Sequence, residues 1–94
     1  MNVKCKKCGH VFDLDLDDLE FNWEIETTDN RSMGTENCWL CEIVVICPKC
    51  KLSIILQFRV WEYPLGIFNY SSIESGDATI TGAPSLATYI KFNN

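Results

Sequence analysis

Along this chain apolar and polar residues alternate more often than they recur at helical spacing. Phe12, Leu14 and Leu16 are interleaved with Asp13, Asp15 and Asp17; the phase slips at Asp18, and Leu19, Phe21, Trp23 and Ile25 then alternate with Glu20, Asn22, Glu24 and Glu26. A period of two with one acidic face predicts two half-exposed strand segments, separated by a turn or bulge at Asp17-Asp18. A short helix over 13–19 would satisfy local propensity, but the alternation argues against it. Residues 27–37, TTDNRSMGTEN, are polar, contain Gly34 and read as the longest loop.

From Trp39 to Cys47 the chain turns apolar, with Ile43-Val44-Val45-Ile46 unbroken by a polar residue. Such a β-branched run predicts a central strand buried on both faces. Beyond Cys50, Leu52, Ile54, Leu56, Phe58 and Val60 alternate with Lys51, Ser53, Ile55, Gln57 and Arg59, the cleanest strand pattern in the chain. These two strands flank a short turn and predict a hairpin. Pro64 and Gly66 close the second strand inside an aromatic-rich turn region, 61–70. Ala78-Thr79-Ile80-Thr81 is a further short strand ended by Gly82. In the tail from Pro84, Ser85 can cap a helix carrying Leu86, Tyr89 and Ile90, while 88–92 can equally form an edge strand; the strand is preferred.

Composition narrows the class. Over 94 residues a hydrophobic core alone is marginal, so one domain, 1–94, with extra anchoring is expected. A hydrophobic fraction of 47% is too high for a disordered chain. No apolar run has the length of a signal peptide or of a membrane span, which leads to an expectation of cytoplasmic location without a membrane role. In a reducing compartment six cysteines point to metal thiolates rather than disulfides. The net charge of −5 disfavours gripping a phosphate backbone.

The cysteines fall in pairs. Cys5-Lys6-Lys7-Cys8-Gly9-His10 and Cys47-Pro48-Lys49-Cys50 are two CxxC turns, each able to chelate through two thiolates, and together they supply the four soft ligands of tetrahedral zinc. The expected metal ligands are therefore Cys5, Cys8, Cys47 and Cys50 around one structural Zn2+. CKKCGH followed distally by CPKCK resembles the zinc-ribbon family, over the knuckles and their flanking strands, about half of the chain. The resemblance implies knuckles on β-turns and a sheet built from the strands between them. The long stretch between Cys8 and Cys47 makes it similar to an elaborated ribbon. Trp61-Glu62-Tyr63-Pro64, with Gly66 and Asn69, is also similar to a motif in small bacterial zinc-ribbon proteins, a likeness that implies a shape and no activity.

Four thiolates leave no open coordination position, so the site is expected to hold structure without activating a nucleophile. Cys38 and Cys41 form a third CxxC, readable as ordinary strand cysteines, a redox pair or a second metal site. Positions three apart on a strand face opposite ways, and no helix N-terminus is there to stabilise a thiolate, which favours the first reading. His10, the sole histidine, reads as a surface residue, as a donor beside the metal, or as a substitute ligand, which four available cysteines make unnecessary.

Five of the eight basic residues, Lys4, Lys6, Lys7, Lys49 and Lys51, lie in or beside the knuckles. They either offset the excess negative charge of the thiolates or form a basic patch for nucleic acid or an acidic partner. Asp13, Asp15, Asp17, Asp18, Glu20, Glu24 and Glu26 form an acidic stripe, either a solvated face that discourages edge pairing or a surface for a basic protein. No calcium-loop motif is present. Trp61, Tyr63, Phe68 and Tyr70 either cover a small core or make a protein-binding hot spot.

These patterns predict a mainly β fold, a zinc ribbon extended by additional antiparallel strands with little helix. They predict a non-enzymatic zinc-stabilised module for protein–protein interaction, including an inhibitor or immunity role, with Lys6, Lys7, Lys49, Lys51, Trp61 and Tyr63 as candidate partner contacts. The alternative is nucleic-acid binding through the lysine-bearing knuckles. No Ser-His-acid set or glycine-rich phosphate loop supports catalysis.

Overall fold

The computed structural model describes residues 1–92. Seven strands make up the fold: β1 (Asn2–Cys5), β2 (Val11–Asp13), β3 (Glu24–Arg31), β4 (Gly34–Ile46), β5 (Ser53–Glu62), β6 (Phe68–Glu74) and β7 (Ala78–Thr81). They form two antiparallel sheets, one ordered β2-β1-β7 and the other β3-β4-β5-β6. Among the described residues helix is limited to a single 3-10 turn at Leu16–Asp18, so the fold is mainly β as the alternation predicts.

The alternation of β5 sets the core. Ile54, Leu56, Phe58, Val60 and Glu62 point inward and are buried, while Ser53, Ile55, Gln57, Arg59 and Trp61 face the other side. Across the pair, Cys41 lies opposite Phe58, Ile43 opposite Leu56 and Val45 opposite Ile54, extending the same inner face onto β4. Val3 and Cys5 of β1, Ala78 of β7, and Leu16, Leu86 and Ile90 join this cluster. Each fully buried side chain of this kind stabilises the fold by about 1.5–3 kcal/mol. Phe21 packs edge-on against Phe58, with ring centroids 5.1 Å apart. The Trp23 indole donates to the Tyr89 carbonyl at 2.9 Å, and the Tyr89 hydroxyl donates to Asp17 at 2.7 Å, tying the connecting segment to the tail.

The structure departs from the sequence pattern in several places. The first alternating segment forms only the three residues of β2, and the slip at Asp17-Asp18 is the 3-10 turn, begun where Asp15 accepts from the Asp17 amide at 3.0 Å. The second segment enters strand at Glu24, because residues 19–23 cross over the core instead of joining a sheet. Residues 27–37 are a hairpin, not a loop. β3 and β4 meet at Arg31 and Gly34, and polar cross-strand contacts replace apolar ones: Thr28 to Asn37 at 2.8 Å, Thr35 to Asn30 at 3.2 Å, Arg31 to Glu36 at 3.2 Å. Strand β6 lies within the region read as an aromatic turn and beyond it.

The run 43–46 is on a strand, yet not buried on both faces: Val44 is 58% and Ile46 52% exposed, because no layer covers the outer face of the larger sheet. The tail contains no strand among the described residues; it is irregular, and its buried Leu86 and Ile90 plug the inner face. The final two positions of that stretch, 93 and 94, lie outside the described residues. The acidic residues from Asp13 to Glu26 share no single face, since they are divided among β2, the 3-10 turn, the crossing segment and β3. No helix is long and apolar enough to cross a membrane among the described residues.

Candidate metal centre

The first knuckle joins β1 to β2, and the second joins β4 to β5, so the two CxxC turns come from different sheets. Their backbones are built alike. The Gly9 amide donates to the Cys5 carbonyl at 2.9 Å and the Lys51 amide to the Cys47 carbonyl at 3.0 Å. The Cys5 amide donates to the His10 carbonyl and the Cys47 amide to the Leu52 carbonyl, both at 2.9 Å. Each turn also needs a left-handed residue at the same place: Gly9 has φ +75° and Lys51 φ +64°. Glycine takes that conformation freely, whereas a lysine takes it at a cost.

All four sulfurs lie within 4.8 Å of one another. Cys5 Sγ and Cys50 Sγ are 3.6 Å apart, as are Cys8 Sγ and Cys47 Sγ. These separations are too long for a disulfide, about 2.05 Å. They approach the spacing of about 3.8 Å that four thiolates adopt at about 2.3 Å from a tetrahedral zinc. Cys5 and Cys47 are buried and Cys8 and Cys50 half-buried. The predicted ligands are therefore brought together as one set that can hold a metal ion, a zinc-ribbon-like site.

The electrostatics suit thiolates. Backbone N–H groups of Cys8 and Lys7 point at Cys5 and lower its pKa against the cost of burial. The amides of Cys50 and Lys49 do the same for Cys47, bringing it down to about 6. For Cys50 the Leu52 amide pulls downward, but burial and the sulfurs of Cys5, Cys8 and Cys47 outweigh it and push the thiol up to about 11. Four crowded sulfurs cannot all ionise without a cation between them, and a divalent ion supplies it.

Other candidate residues are placed as follows. Lys4, Lys6, Lys7, Lys49 and Lys51 are all exposed around the knuckles, and Lys51 Nζ donates to the Pro48 carbonyl at 3.1 Å. His10 stacks on Phe12 at 6.3 Å and is not part of the four-sulfur set. Cys38 and Cys41 face opposite sides of β4, opposite Trp61 and Phe58 respectively, burial raises both thiols, and neither belongs to a metal set among the described residues. Trp61 stacks on Tyr70 with centroids 4.3 Å apart on the open outer face. The Tyr63 hydroxyl accepts from the Met33 amide at 3.1 Å, with Arg31 over its ring at 5.8 Å.

Glu62 was hidden in its motif. It is 2% exposed, and its carboxylate accepts from Asn37, Trp39 and the Gly66 amide. Burial drives its carboxyl upward, but these three donors outweigh it and hold the group below the usual carboxylate range. The signal in the sequence is a charged residue at an inward position of the β5 alternation. No protein-family model, curated protein or solved structure matches the chain.

Proposed function

We propose that this chain is a zinc-stabilised protein-binding module, with Cys5, Cys8, Cys47 and Cys50 closed around one structural Zn2+ and an open edge of β4 receiving an extended segment of a partner protein. One contrast carries the reading. Beyond Leu40, no strand among the described residues pairs with β4 on the side away from β5. The Cys47 amide points to β5, so by antiparallel alternation the N–H and C=O groups of Glu42, Val44 and Ile46 point outward. No described residue hydrogen-bonds to them. The equivalent edge of β5 is capped: the Ile55 amide donates to Asp77 at 3.1 Å, and the Ser75 hydroxyl donates to the Ile55 carbonyl at 2.7 Å.

Folds usually cover or charge such an edge, and a bare one is the template for strand addition. Val44, Ile46 and Ile55 supply exposed apolar contacts beside it. Glu24 and Glu42 line a hollow of about 230 Å3 at its end with Asn22 and Leu40. A partner segment alternating apolar and basic residues complements this edge. Closed four-thiolate coordination favours binding over catalysis.

The test is Val44→Pro. Its amide points away from β5, so proline removes an outward donor while leaving the β4–β5 ladder. Decapeptides selected against the zinc-loaded protein are expected to protect the amides of Glu42, Val44 and Ile46 from hydrogen exchange, and to lose affinity at least tenfold with the proline variant. Peptides that bind the variant equally well overturn the reading. A second reading, nucleic-acid contact through the knuckles, rests on the five exposed lysines there; a low-salt titration with DNA and RNA supports it only if affinity falls steeply as salt rises.

A further inference from the structure

At the end of β4 and β5 remote from the knuckles, a hollow of about 450 Å3 opens on the inner face, lined by Trp23, Ile25, Trp39, Leu65, Phe92 and Glu62. We propose that this hollow binds an alkylated ammonium cation, with Glu62 as counter-charge and the aromatic rings as walls.

Three observations converge. First, Glu62 is buried as an anion without a cation: none of the described Lys, Arg or His side chains lies within ion-pair distance of it. A charge taken out of water is costly unless paired, and hydrogen bonds offset only part of that cost. Second, the walls are aromatic. Trp39 and Phe92 lie 6.4 Å apart and tilted at 41°, both lining the hollow, and Trp23 borders the same space. Ring faces attract cations, most strongly when desolvated.

Third, the hydrogen-bonding capacity is nearly used up. Glu62 Oε1 accepts from Asn37 Nδ2 at 3.1 Å and Trp39 Nε1 at 2.9 Å, and Oε2 accepts from the Gly66 amide at 2.6 Å. Of about four acceptor positions on a carboxylate, three are filled. A metal ion or bare ammonium needs several oxygen partners to replace its water. A quaternary ammonium needs none, because it carries no N–H and its charge is spread under methyl groups that suit Ile25, Leu65 and the rings. The class is thereby selected by what the site lacks as well as by what it offers. Lys91, exposed, is the one basic residue among the described residues that line the hollow and opposes entry, so its removal is a lever on affinity.

The test uses the zinc-loaded protein with choline and its uncharged isostere 3,3-dimethylbutan-1-ol, followed through the three tryptophan indole N–H signals. Choline is expected to shift Trp23 and Trp39 and leave Trp61 unmoved, and to bind about tenfold more tightly than the alcohol. Lys91→Glu, an exposed change that leaves the fold intact, is expected to tighten choline and not the alcohol; Phe92→Ala is expected to reduce the ratio between them. Equal affinities for the two ligands, no binding of either, or a choline affinity indifferent to Lys91→Glu overturns the proposal.

Discussion

The Trp39 indole donates to the Glu62 carboxylate at 2.9 Å, joining adjacent strands β4 and β5 through a buried anion. With Asn37 and the Gly66 amide it holds that carboxyl below its ordinary value of 4.5. A depressed folded pKa contributes stability that is complete above about pH 4.5 and is lost as pH falls through the lower folded value. Glu62→Gln should cost about 2 kcal/mol at pH 7, and its urea midpoint should fall less than the parent's between pH 5 and pH 3. Parallel slopes for the two proteins would show that Glu62 does not carry this titration.

Removal of the ion should unfold most of the chain. Zinc bound by small cysteine-rich peptides contributes about 10–16 kcal/mol, comparable with or above the net stability of a domain this size. Here an ion held by Cys5, Cys8, Cys47 and Cys50 would also join two sheets. Excess chelator, or Cys47→Ser, should abolish the cooperative melt and collapse amide dispersion in the proton spectrum. An unchanged melting temperature after verified metal loss would contradict a structural role.

The two knuckles differ at one matched position, and the difference is testable. Gly9 has open space around its α-carbon, so Gly9→Ala meets no clash and bears only the left-handed penalty, about 1–2 kcal/mol. Lys51→Gly relieves the same penalty and should stabilise by about 1 kcal/mol, less what the lysine contributes through its bond to Pro48. Thermal melts of both zinc-loaded variants should shift in opposite directions.

Cys38 and Cys41 should behave as buried, unreactive thiols, Cys41 in the core and Cys38 beneath its outer-face neighbours. Both are buried, and burial raises both above the ordinary thiol value. Iodoacetamide at pH 8 should leave them unmodified in the zinc-loaded protein and alkylate all six cysteines after chelation in denaturant. Rapid labelling of either in the folded state would point to a reactive thiol.

Much of this was legible because the relevant signals are local. Paired CxxC spacing carried the metal set, and strict alternation from Leu52 to Val60 carried β5 and its hairpin with β4. The hairpin at 27–37 was not legible, because its strands are held by Thr28–Asn37 and Arg31–Glu36 contacts that leave no apolar period. The exposure of Val44 and Ile46 was misread for a different reason. A β-branched run reports strand propensity, while burial depends on whether another layer arrives, and none covers the outer face. Glu62 needed its three donors in view, two from β4 and one beyond its own strand.

Strand order has a consequence for synthesis. β1 is sandwiched between β2 and β7, whose residues lie near opposite ends of the sequence. At ribosomal rates of about 5–20 residues per second, the first knuckle emerges seconds before its metal partners Cys47 and Cys50, and before the strand that completes its sheet. During that interval Cys5 and Cys8 are half a chelate, exposed to competing ions and oxidants. Assembly of the small sheet is thereby a late event, since β7 follows the last of the four cysteines by more than a full strand.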